Sequence, residues 1–318
     1  MNGCKKMKNI PLSRYAASPF SRATRGKGDD ASGLAKPVPR RPLAWCIASV
    51  IRRGWCVAML AAIAMTAAPA HAGRSCEVRK PTPQLIERGM QLAQQTAAAL
   101  DVEFARSGTR VVVLGRAGQD LGKYGLRYSH LGWAYRNDAG AWRVVHKLNE
   151  CGGTEGHLYR QGLGEFFLDD LWRYEAVWAV PTPDVQQHLL TLLDDGTRVR
   201  TLQHAPYSMV SYAWGRKYQQ SNQWALETLA AAMEPATVRT RDQAQAWLQF
   251  KGYEPSALKI GALTRLGGRV GSANIAFDDH PNDKRFADRI ETVTVDSVLA
   301  WLQRTQLAAA PQVLQLKQ

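Results

Sequence analysis

The residues of this 318-residue chain whose types and spacing could do chemistry are two histidines, His130 and His146, and a serine, Ser221. Tyr128 to Arg136 and Trp142 to Asn149 flank Asn137-Asp138-Ala139-Gly140, which is a hairpin signal. If the turn is a three-residue loop with Gly140 in the left-handed conformation, Asn137 faces Ala141 and His130 faces Leu148. His130 and His146 then lie diagonally on one face, whereas a slip of one residue puts them on opposite faces. Ser221-Asn222-Gln223-Trp224 opens a helix, where backbone N–H groups and the helix dipole favour developing negative charge. A nucleophile there, a histidine base on a strand and a second group orienting that base make the logic of a catalytic triad. The competing reading is that Ser221 only caps its helix and that the strand histidines are structural. Cys151, beside Gly152-Gly153, is a second possible nucleophile.

A third cluster, Asp278-Asp279-His280-Pro281, suits a substrate-contacting loop or a set of metal ligands, against a polar turn capped by aspartate. No metal or cofactor site is assigned to it. The stretch from Gly115 to Gly125 is not a phosphate loop, because Ala117 replaces its first glycine and Tyr124 follows Lys123 where a Ser or Thr is needed. Residues 73–318 contain no Gly-x-Ser-x-Gly elbow, His-Glu-x-x-His helix, Cys-x-x-Cys pair or EF-hand loop, which disfavours α/β-hydrolases, zincins and nucleotide enzymes.

Several elements must position these residues. Helical spacing over Pro81 to Phe104 opens the domain, and the β-branched run Thr109 to Gly115 reads as a buried strand. Arg173 to Val180 is a further strand, followed by helices at Thr182 to Asp195, Ser221 to Met233 and Thr240 to Lys251. Arg289 to Val295 alternates like a half-buried strand, and Asp296 to Arg304 closes with a helix. That order gives an α+β fold with a mainly antiparallel sheet. Trp133, Trp142, Trp178 and Trp224 are expected in the core with Trp172, although some could line a cleft.

Arg52 and Arg53 precede an apolar run, Trp55 to Ala68, and Ala70-His71-Ala72 ends it as a small-residue cleavage site. The run is shorter than the roughly 20 residues a spanning helix needs, so residues 1–72 read as a signal and no stable membrane anchor is expected after processing. The mature chain is then periplasmic or secreted, with one domain over residues 73–306 and an Ala/Gln-rich tail at 307–318. Residues 1–72 hold 12 of the 41 Lys and Arg but 2 of the 27 Asp and Glu, so a net charge of +14 falls to +4. With no basic block left, nucleic-acid binding is not expected. Cys76 and Cys151 remain after cleavage, an even count in an oxidising compartment that favours a disulfide over a free nucleophile.

The segments GQDLGKYGLRYSHLGWAYR, VVHKLNECG, FFLDDLWRYEA, YQQSNQW and ANIAFDDHP resemble an uncharacterised bacterial family known as domain of unknown function 2145. That resemblance implies an envelope protein and no particular activity. More remotely, Tyr128-Ser129-His130-Leu131-Gly132 and Tyr218-Gln219-Gln220-Ser221-Asn222-Gln223-Trp224 are similar to motifs of circularly permuted NlpC/P60 proteins, which have a papain-like fold. The likeness implies His130 as base, His146 as its orienting partner, and Ser221 where that superfamily has its cysteine. It implies either an amidase, peptidase or acyl-hydrolase acting on cell-envelope material, or an inactive module that binds a peptide, glycan or lipid. Asn222, Gln223, Asp278, Asp279 and His280 are the expected substrate contacts.

Overall fold

The computed structural model describes residues 81–317 apart from 151–152 and 170. The expected signal, its cleavage site, Cys76 and Cys151 lie outside the described residues.

Thr82 accepts the backbone N–H of Leu85 and Pro83 occupies the first turn, so the opening helix α1 starts there and spans Pro83–Ser107. Gly108, at φ +70, ends it in the left-handed conformation. Five strands follow: β1 (Val111–Ala117), β2 (His130–Arg136), β3 (Trp142–Asn149), β4 (Gly156–Gly162) and β5 (Arg173–Ala179), with the short helix α2 (Leu163–Phe167) before β5. Helices α3 (Pro183–Asp194), α4 (Ser221–Met233) and α5 (Arg241–Phe250) come next. The remainder is β6 (Ser256–Lys259), α6 (Ala262–Gly271), α7 (Asn282–Phe286), β7 (Arg289–Thr292), α8 (Val295–Arg304) and β8 (Gln312–Gln315).

The main sheet has six strands in the order β4-β3-β2-β1-β5-β8, antiparallel throughout, and β6 pairs with β7 in a second, two-stranded sheet. The fold is therefore α+β, as the order of elements predicts. Within the stretch 307–318, expected as a tail, Gln312–Gln315 instead form the edge strand: Ala176 pairs with Leu314, and Leu316 is buried against the α1 side. The stretch expected as strand to Val295 stops at Thr292, because Thr294 caps α8 through the N–H of Ser297.

Two apolar cores lie on opposite faces of the sheet. Val112, Leu114, Ala134, Val144 and Trp178 pack with Leu92, Leu100 and Phe166 from α1 and α2. On the other face Val111, Val113, Leu131, Trp133 and Val177 meet α3, α4 and α8. Helix α4 is buried from Ser221 to Ala232, so it carries no solvent face and reads as the central helix of the domain. Trp133 Nε1–H donates to the Ala225 carbonyl and locks β2 onto that helix. Among the described residues no helix is long and apolar enough to cross a membrane.

Candidate functional site

The hairpin register is the one the turn residues demand. Asn137 N–H donates to the Ala141 carbonyl, Gly140 has φ +81, and Arg136 pairs with Trp142. His130 and His146 consequently share the face that packs against α2, and His130 Nε2 lies 2.8 Å from His146 Nδ1. The other nitrogen of His146, Nε2, lies 2.8 Å from Gln161 Oε1 on β4. An amide oxygen only accepts, so His146 carries its proton on Nε2 and offers a lone pair at Nδ1. His130 must then donate through Nε2, which leaves the lone pair of its Nδ1 unused by the chain of rings.

Gly132 makes this approach possible. A Cβ there would come within 2.8 Å of both His146 Cβ and Val144 Cγ1 and 2.9 Å of the Val145 carbonyl oxygen. The start of β2 is fixed from both sides: Ser129 Oγ accepts Gly118 N–H at 2.9 Å, and Asp296 accepts the N–H groups of Arg127 and Tyr128.

Both rings are held neutral. Burial, then the charge of Arg116, lowers His146 to about 4, while burial, Arg116 and His146 push His130 well below its ordinary value. Arg116 is itself buried, donates to the Phe166 carbonyl and pairs with Asp169.

Ser221 reaches the same region by another route. Asn222 Oδ1 accepts the N–H of Leu131 at 3.0 Å, tying the start of α4 to the residue after His130 across 91 positions of sequence. Ser221 is the first helical residue rather than the cap; Gln220 caps α4, its side chain accepting Asn222 N–H and donating to Thr292 Oγ1 and the Val293 carbonyl. The Ser221 hydroxyl sits 3.4 Å from the Tyr207 hydroxyl, and among the described residues no hydrogen bond joins it to His130. His130, Ser221, Asn222, Gln220 and Tyr207 nevertheless line one cavity of about 480 Å³. Its remaining wall combines the apolar side chains of Leu258, Ile260, Ile275 and Phe277 with the loop that carries Asp120, Lys123 and Tyr124. Trp172, 58% exposed, stands at its margin, while Trp133, Trp142, Trp178 and Trp224 are buried in the cores.

Other expected contacts lie elsewhere. Gln223 is buried, its amide accepting from Ser211 Oγ and donating to the Ala213 carbonyl. Asp278 pairs with Lys217, Asp279 accepts Tyr212 N–H, and His280 Nε2 bonds the Val210 carbonyl, so the three brace a loop and none lines the cavity. Among the described residues no three His, Cys, Asp or Glu side chains converge in a group that could hold a metal ion. Gln161, Tyr207 and Gln220 escape sequence reasoning, since glutamine is outside the usual capping set and β4 carries no clean alternation.

No curated protein and no solved structure matches this chain. The model of one protein family, described as "Uncharacterized protein conserved in bacteria (DUF2145)", matches residues 103–302, the span from the end of α1 to α8 that holds every residue of the cavity. The chain therefore belongs to this uncharacterised bacterial family.

Proposed function

We propose that this is an exported envelope protein whose cavity hydrolyses an amide or ester by acyl transfer, with Ser221 as nucleophile and His130 as base on a papain-like scaffold of the permuted NlpC/P60 type. The observation that carries the reading is the chain Gln161–His146–His130, which turns one basic nitrogen, Nδ1 of a cavity-lining histidine, away from its partners. In the proposed step Ser221 Oγ attacks the carbonyl carbon while its proton passes to His130 Nδ1. His130 returns that proton to the leaving group, and water then hydrolyses the acyl ester. The oxyanion would develop near the N-terminus of α4, where the helix dipole favours it. Among the described residues no bond joins Ser221 to His130, and catalytic hydrogen bonds often tighten only with substrate.

A second reading, a binding module, is favoured by two observations. Ser221 is bonded to Tyr207, and burial with Arg116 opposes the imidazolium that turnover would form. Treatment with serine-reactive acylating probes, followed by mapping of the labelled residue, separates the two. Label on Ser221 supports hydrolysis; saturable binding of envelope fragments without label supports the module. The export part of the proposal expects envelope-recovered protein to begin at Gly73, read by N-terminal sequencing.

A further inference from the structure

Helix α6 has two faces with different surroundings. Thr264 and Gly268 line the cavity, and Arg265 is buried, donating to the Ile260 carbonyl and to Asp288. On the opposite side Leu263, Leu266 and Val270 are 85%, 61% and 82% exposed. At 100° per residue these three fall within an arc of about 60°, a continuous apolar stripe rather than scattered exposure.

The stripe has a consistent charge around it. Helix α6 contains no acidic residue, and its Arg269 and the neighbouring Lys259 are exposed without an ion-pair partner among the described residues. Arg265 is the one cation of the helix whose charge is answered, by Asp288. An apolar stripe flanked by unanswered cations is the pattern of a helix that lies in the interface of an anionic bilayer. We propose that the outer face of α6 docks on an anionic lipid surface, seating Leu263, Leu266 and Val270 among the headgroups and acyl ends with Arg269 and Lys259 on lipid phosphates. Because Thr264 and Gly268 on the inner face of the same helix wall the cavity, docking brings that wall to the lipid boundary. This surface is independent of whether Ser221 reacts.

The test is site-resolved hydrogen exchange on the full chain, alone and with vesicles of phosphatidylcholine or of phosphatidylcholine mixed with phosphatidylglycerol. The amides of residues 263–271 should exchange about tenfold more slowly with the anionic vesicles at low salt and revert at high salt. The triple variant Leu263→Ser, Leu266→Ser, Val270→Ser, altered only at exposed positions, should lose that slowing, and Arg269→Ser should weaken vesicle partition about fivefold. Slowing confined to residues before 81 would overturn the proposal in favour of that segment as the lipid contact. Slowing without vesicles that grows with protein concentration would overturn it in favour of a second copy, and equal slowing on neutral vesicles would overturn the role of the cations.

Discussion

Two histidine sites of this molecule look alike in sequence and differ in what their ring nitrogens do. His280 sits beside Asp279, is buried, and gives Nε2 to the Val210 carbonyl, while its Nδ1 is buried without a hydrogen-bond partner. His130 gives Nε2 to a second histidine that is itself fixed by Gln161, and it borders a cavity. The first arrangement ends on backbone and holds a loop closed. The second fixes one tautomer on a ring that borders the cavity, and a base needs both. Proximity of His to Asp is thus a poor guide to chemistry; the destination of the second nitrogen is a better one.

The largest contrast should appear in reactivity. Ser221→Ala and His130→Ala should each lower probe labelling by about a thousandfold or more, and His146→Ala by less, since an orienting group contributes less than base or nucleophile. His280→Ala should leave labelling unchanged and cost about 2 kcal/mol in a urea melt, because it removes a buried hydrogen bond and ring. Equal loss of labelling in both histidine variants would erase the distinction.

Acid should act on the paired rings next. With His146 held at about 4 and His130 lowered as well, the unfolded chain binds protons below about pH 6.5 that the folded chain refuses. Stability is therefore full above that value and falls as pH drops toward 4, by about 3 kcal/mol for His146 alone. Urea melts at several pH values should show the slope, and His146→Gln should flatten it.

Crowding the hairpin should have a smaller effect: Gly132→Ala puts a methyl against β3 and should cost about 1–3 kcal/mol while displacing His146. Calorimetry reads the first effect and probe labelling the second. The smallest change is Tyr207→Phe, which removes one hydroxyl contact at about 1 kcal/mol or less. If Tyr207 holds the Ser221 hydroxyl away from His130, this variant should label faster than the parent.

The histidine pair was legible in sequence because a turn with a left-handed glycine sets register, and register sets which side chains share a face. Helices α3 and α5 were legible because Thr182 and Thr240 cap them, whereas the cap of α8, Thr294, was hidden in a run that alternates like a strand. Strands β4, β6 and β8 were not, since short edge strands with mixed burial carry no clean period. The site was legible only where it lay on strong elements. Gln161 is on β4 and Tyr207 is in the connection before α4, and neither has a motif to mark it. The cluster at residues 278–280 misled because a polar run looks the same whether its side chains face a ligand or their own backbone.

The sixth strand has a consequence in time rather than in space. Strands β1 to β4 are joined through neighbouring stretches of chain, but β5 is bordered on its outer side by residues 312–315, far along the sequence. Pairing across so long a loop carries a large closure entropy and is a late event in folding. Until it occurs the hydrogen-bonding edge of β5 is bare, the condition in which a strand pairs with whatever extended chain it meets. A nascent chain therefore passes through an interval in which Arg173–Ala179 is an open edge, and that interval closes only when the distant strand arrives.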